Sequence, residues 1–221
     1  MQDLSAWQPR PPVTNAPIAG RHVRLEPLDP AGHADGLWAA FGAQEDLWTY
    51  IPVGPFADRA ALQDGLDWIA ARPDWDGFTI FDTTGHACGT ACYMRTDAAN
   101  GSTEIGCIVY GEALQRTRSA TEVQYLCARR VFDELGYRRY EWKCNALNEA
   151  SKRAAKRFGF TYEGTFRQHM VVKGKNRDTA WFSMLDHEWP AIKLRFETWL
   201  DPANFDAGGK QKQRLNDIGS E

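Results

Sequence analysis

The chain has 221 residues and a mass of 25.0 kDa, with 43% hydrophobic residues, 25% charged residues and a formal net charge of -3. That length fits one domain with tails, and the composition excludes a disordered, collagen-like or low-complexity chain. No apolar run reaches the ~20 residues of a membrane helix, the opening MQDLSAWQPRPPV lacks a signal-peptide core, and a pI near 6.0 gives no pull toward nucleic acid. No nucleic-acid or membrane partner is expected, and the cytoplasm is the expected address.

Residues 1–20 carry Pro9, Pro11, Pro12 and Pro17 without any period and read as an arm laid over the domain or left mobile. The domain is expected over 21–203, and the polar segment 204–221 reads as a mobile tail. Alternation over 22–26 predicts a first strand. Leu37, Trp38, Ala40 and Phe41 predict a short helix, followed by a loop over 48–56. Asp58 is placed to cap a second helix with the apolar stripe Leu62, Leu66 and Ile69. Strands are expected over 77–82, 87–94 and 103–110, with turns at Thr84-Gly85 and Asn100-Gly101.

The strongest helix signal covers 119–135. Ser119 and Glu122 match a capping box, Ala120, Val123, Cys127 and Val131 form a stripe, and Gly136 stands where a left-handed cap belongs. A strand over 139–144 puts Tyr140, Trp142 and Cys144 on one face. A shorter helix over 148–158 ends at Gly159, a strand starts at 160–163, and 168–173 with 179–185 read as a hairpin across Gly174-Lys175-Asn176. The class is mixed α/β (α+β), a mostly antiparallel central sheet with helices on both faces. Its ligand crevice lies at the carboxyl end of the parallel strand.

Cys88, Cys92, Cys107, Cys127 and Cys144 form no CxxC pair and are odd in number, so they read as reduced core thiols and no metal site is expected. The stretch from Tyr110 to Glu122 runs from a strand through a short loop into a capped helix. Free N–H groups at that helix start, with Arg116, Arg118, Ser119 and Thr121, suit an anion such as a pyrophosphate; an ordinary capped helix with two solvated arginines is the plainer alternative. The loop matches neither GxxxxGK[ST] nor GxGxxG.

Four further pieces carry a resemblance: Thr103-Glu104-Ile105-Gly106 opening the central strand, the loop Gln115–Thr121, the pair Asn148 and Ser151, and Phe158-Gly159-Phe160 followed by Glu163-Gly164. Over residues 20–190 the chain resembles the GNAT superfamily of acyl-CoA-dependent N-acetyltransferases, the RimJ/RimL-type branch most closely. The resemblance implies acetyl-CoA as cosubstrate. It implies that the central strand splays from its neighbour near Ile108 and Val109 and that pantetheine pairs with the exposed backbone there. Gln115, Arg116, Thr117, Arg118, Ser119, Ala120 and Thr121 would bind the pyrophosphate, and Asn148 the pantetheine arm. Ser151 would protonate the departing thiolate, or else serve only as a helix-start hydroxyl. Arg118 stands where the family loop commonly has glycine, a difference that matters where the backbone needs positive φ. Met170 stands where the RimL-type pattern has a carboxylate.

Attack of an amine on a thioester needs a base. Glu104 is the preferred candidate, directly or through water, with a cross-strand charge partner as its plainer role; His169 is second and Asp178 third. Trp48, Tyr50 and Phe56, with Trp75 or Trp181, are candidates to wall the acceptor pocket or simply to pack the core, and His169 stands near that pocket. The run Lys152, Arg153, Lys156 and Arg157 reads as a solvated helix face or a contact for the 3′-phosphate of CoA. The expected function is acetyl transfer to a primary amine, of a protein N-terminus or a small molecule, by direct attack. The alternative is a catalytically inactive acyl-CoA-binding module. Exposed aromatics leave room for a homodimer.

Overall fold

Eight strands form one sheet in the computed structural model, which describes residues 3–42 and 44–219. They are β1 Ile18–Ala19, β2 Val23–Pro27, β3 Trp75–Asp82, β4 Ala87–Asp97, β5 Ser102–Tyr110, β6 Arg139–Asn145, β7 Thr161–Val172 and β8 Lys175–Leu185. Among them β2 and β6 alternate cleanly between buried and half-buried residues. Their order in the sheet is β1-β2-β3-β4-β5-β6-β8-β7. The β5–β6 pair is parallel and the other neighbours are antiparallel. A parallel step needs a crossover, and α3 Arg118–Arg129 supplies it. The other helices are α1 Pro30–Phe41, α2 Arg59–Ala70, α4 Glu149–Arg157 and α5 Trp189–Leu200. None of the described helices is long and apolar enough to cross a membrane.

Strand periodicity divides the apolar residues between two cores. Phe78, Ile80 and Cys88 pack with α3, α4 and α5, whereas Phe81 and Ala87 pack with α1 and α2. On β5, Ile105 belongs to the first core and Val109 to the second, although they are four residues apart and should share a face. A bulge explains the switch. Gly106 pairs with Cys92 and Val109 with Thr90, so one extra residue is accommodated where Cys107 takes φ +48.

Several expectations are corrected. The cap of α3 is Thr117, whose side chain accepts the Ala120 N–H at 3.1 Å, two residues before the expected Ser119. Glu122 does not close a capping box. It crosses to the start of β2 and accepts the N–H groups of Arg21, His22 and Val23 at 2.9, 2.6 and 3.0 Å. Gly20 makes room for it, since a Cβ there would lie 2.6 Å from the carboxylate. The last turn of the expected helix, Arg130–Glu134, widens to a π-helix before Gly136 takes φ +66. The expected strand at 160–163 and first hairpin arm are one bulged strand, β7, and the hairpin turns at Lys173 and Gly174.

The ends of the chain are packed down. Tyr137 donates to the Pro11 carbonyl at 2.9 Å and accepts from the Val13 N–H, while Arg130 bonds the carbonyls of Ala16 and Pro17. The segment after 203, expected to be a mobile tail, folds back along α5 and buries Leu215 and Ile218 in the larger core. The amphipathic run that became α5 was not among the expected elements.

Candidate functional site

The parallel β5–β6 contact is short. Ser102, Thr103 and Glu104 pair with Arg139, Tyr140 and Glu141, and no β5–β6 register follows. Beyond Glu104 the strands separate, the Cys107 bulge turns β5 further, and a cleft of about 1870 Å³ opens between them. Residues 104–110 line one wall, and Trp142 to Asn145 with Asn148 and Ser151 line the other. The unpaired backbone of β5 is therefore a strand edge inside a cleft.

At one end stands the start of α3. Gln115 donates to the Tyr110 carbonyl at 2.8 Å and the Thr117 hydroxyl to the Leu114 carbonyl at 2.6 Å, which fixes the loop. Thr117 takes the Ala120 N–H, and the N–H groups of Arg118 and Ser119 have no protein acceptor among the described residues. The left-handed residue is Arg116, at φ +60; Arg118 is the first helical residue, so its position makes no demand for glycine. All seven residues from Gln115 to Thr121 line the cleft, with Ile108, Val109, Asn148 and Ser151. Arg153 and Arg157 line it as well, so the basic face of α4 is only partly turned to bulk solvent. Arg157 donates to Thr121 Oγ1 at 3.1 Å, and burial lowers its guanidinium below the ordinary range.

In the middle of the cleft Asn148 caps α4, accepting the Ser151 N–H on Oδ1 at 3.0 Å, and its Nδ2 makes no hydrogen bond among the described residues. The Ser151 hydroxyl is thus not the cap. Its oxygen accepts the Trp142 indole N–H at 2.9 Å, which leaves the hydroxyl hydrogen to donate. Beside it lies Cys144, whose thiol burial pushes up.

Toward the other end Glu104 is 3% exposed, and its Oε2 meets Arg95 at 2.6 Å and Lys143 at 3.1 Å. The cross-strand charge pairing read from the sequence is therefore present. Oε1 lies beside Gly106, where a Cβ would come within 3.1 Å, and makes no hydrogen bond among the described residues. Lys143 also pairs with Glu141 at 2.7 Å and stacks 4.0 Å over Trp181. His169 is exposed and lines the cleft, with Nδ1 3.0 Å from Thr179 Oγ1 and Trp181 5.9 Å away. Asp178 instead holds the β7 bulge through the Gln168 N–H at 2.7 Å.

Tyr50, Trp75, Met170 and Trp181 line this end. Trp48 does not. It is 2% exposed, wedged edge-on between Phe41 and Phe56, and belongs to the second core. Sequence reasoning missed Arg95, Lys143 and Arg177. Lys143, with a side chain 8% exposed in mid-strand, carried a usable signal: a buried ammonium demands carboxylates. Arg177 makes no hydrogen bond or ion pair among the described residues, its Nε is buried, and burial lowers its guanidinium.

Comparison with known proteins meets this geometry. Residues 22–161 match the family model described as "Acetyltransferase (GNAT) domain". The chain belongs to the GNAT acetyltransferases. A crystal structure of a GCN5-related N-acetyltransferase from Brucella melitensis is 49% identical, covering 95% of this chain and 96% of that one, with a TM-score of 0.92. A probable acetyltransferase of the GNAT family from Chromobacterium violaceum is 41% identical over 86% of this chain and 96% of its own, with a TM-score of 0.80. A curated relative from Bacillus subtilis, named "Putative ribosomal N-acetyltransferase YdaF", is 28% identical over 58% of this chain and 69% of its own. This GNAT protein is accordingly an acyl-CoA-dependent acetyltransferase, and the mixed sheet expected from the sequence is its fold.

Proposed function

We propose that the protein transfers acetyl from acetyl-CoA to a primary amine, and that the amine attacks the thioester directly. The observation that carries this reading is the parting of β5 from β6 after Glu104, which opens one cleft past an unpaired strand edge, a helix start and Ser151. In this reading the pantetheine arm lies along Ile108 and Val109, with the Asn148 Nδ2 hydrogens on one of its carbonyls. The pyrophosphate takes the N–H groups of Arg118 and Ser119 and the side chains between Gln115 and Thr121.

The amine nitrogen attacks the thioester carbon, and its proton leaves to Glu104 Oε1 through a water. The tetrahedral centre collapses by breaking the C–S bond, and the thiolate takes the Ser151 hydroxyl proton. Both groups then exchange with solvent through the open cleft. The Trp142 indole holds the Ser151 oxygen so that its hydrogen is free for this step. Tyr50, His169, Trp75 and Trp181 contact the acceptor. The name of the Bacillus subtilis relative favours a protein N-terminus over a small amine.

The test is release of free CoA from acetyl-CoA with three acceptors: a peptide with a free α-amine, the same peptide blocked, and a polyamine. The account expects turnover with the free peptide and none with the blocked one. Turnover confined to the polyamine would replace the protein acceptor by a small one. Binding of acetyl-CoA without turnover of any amine would leave only the binding module.

A further inference from the structure

Five cations line the cleft at its α3 end: Arg116, Arg118, Arg153, Arg157 and Lys210. None of them takes part in an ion pair among the described residues. The three carboxylates that line the cleft come from other segments: Asp46 before α2, Asp74 before β3, and Glu104 at the start of β5. Lys210 is the outlier in this set, because it follows α5 and lies outside the residues that match the family.

The segment that carries Lys210 is built rather than loose. Asp206 Oδ1 accepts the N–H groups of Gly208 and Lys210, each at 2.9 Å, and the Asp206 N–H donates to the Lys210 carbonyl at 3.0 Å. Phe205 bridges Gln211, and Gln211 Oε1 accepts the Trp199 indole N–H at 2.8 Å. Leu215 then anchors the return of the chain in the core. The turn reaches the anion loop through rings. The Arg118 guanidinium lies 3.4 Å from the centre of the Phe205 ring, and Arg157 lies 5.1 Å from that of Trp199. Phe205, Gly209, Lys210 and Gln211 all face the cleft.

We infer that this carboxyl-terminal turn is part of the acyl-CoA site, with Lys210 binding the ribose 3′-phosphate and Phe205 positioning Arg118 toward the phosphates. The inference rests on the acyl-CoA reading of the cleft. A phosphomonoester and a pyrophosphate together bring more charge than one helix start meets, and the turn supplies a further ammonium on a preorganised loop.

Calorimetric titration of the full chain with acetyl-CoA and with acetyl-dephospho-CoA, which lacks the 3′-phosphate, tests it. Lys210 is exposed, so Lys210→Met should fold normally. It should raise Kd for acetyl-CoA by about tenfold, the worth of one charge-assisted hydrogen bond, and leave acetyl-dephospho-CoA unchanged. Phe205→Leu should weaken both ligands, several-fold at most, because Arg118 loses its platform. Equal losses for both ligands in Lys210→Met would still place the turn in the site but move Lys210 to the pyrophosphate, overturning the 3′-phosphate assignment. Wild-type affinity for both ligands in both variants would overturn the inference, with the cofactor reading intact. If the wild-type chain binds neither ligand, the cofactor reading falls and the inference with it.

Discussion

At the α3 end of the cleft, arginines and a lysine stand without ionic partners, whereas at the β6–β8 end the charges largely meet one another. Glu104 holds Arg95 and Lys143, and Lys143 turns again to Glu141. The first end is a set of cations with no ion pair among the described residues. The second holds a closed ionic cluster around Glu104, Lys143 and Glu141, with Arg177 outside it, and presents aromatic faces and a buried carboxylate. In the proposed reading that contrast divides the labour: charge selects the acyl donor, while shape, rings and one carboxylate oxygen handle the acceptor.

The sharpest way to break that division is Glu104→Gln. Loss of the base should cut kcat by about 10²-fold or more, with acetyl-CoA affinity unchanged. Thermal unfolding of the variant must accompany the kinetics, because the substitution leaves Arg95 and Lys143 facing a neutral amide. An unaltered kcat would hand the role to His169 or to water. Ser151→Ala should lower kcat by about tenfold at constant acetyl-CoA affinity, measured by titration and initial rates. It should also cost about 1–3 kcal/mol of stability, since the Trp142 indole loses its acceptor.

Salt should separate the two ends. Raising ionic strength from about 0.05 to about 0.5 M should weaken acetyl-CoA binding several-fold, while KM for an uncharged-chain amine moves little. A parallel response of both constants would contradict the division. The smallest expected effect lies outside the cleft. Hydrogen bonds from Arg139 at 2.9 and 2.6 Å hold the Glu163 carboxyl below its ordinary 4.5. A depressed carboxyl stabilises the fold above its unfolded value and loses that stabilisation as pH falls through the lower folded value. Arg139→Met should therefore flatten the acid side of the stability–pH curve below about pH 4.5, by roughly 1 kcal/mol or less because Glu163 is more than a third exposed.

How much of this was legible in sequence depended on whether the signal was local. Strands such as β2 and β6 announced themselves by period, and α3 by its stripe. The cap was misplaced because Thr117 and Ser119 are chemically equivalent caps, and only the long-range reach of Glu122 to Arg21–Val23 separates them. The carboxyl-terminal turn escaped because Leu215 and Ile218 are two apolar residues in a polar run, and burial depends on where α5 leads them. Trp48 illustrates the reverse: a tryptophan beside Tyr50 suggested a pocket wall, but Phe41 and Phe56 enclose it from elements on either side. The loop, Asn148 and Ser151 were singled out by the family resemblance and line the cleft, whereas Arg95 and Arg177 reach it through sheet register.

The central claim is direct transfer within a complex of both substrates, and initial velocities over a grid of acetyl-CoA and amine concentrations test it most directly. The account predicts reciprocal plots that intersect, with no release of CoA before the amine is added. Parallel plots, with acetyl recovered on Cys107, Cys144 or Ser151 of the amine-free protein, would contradict it.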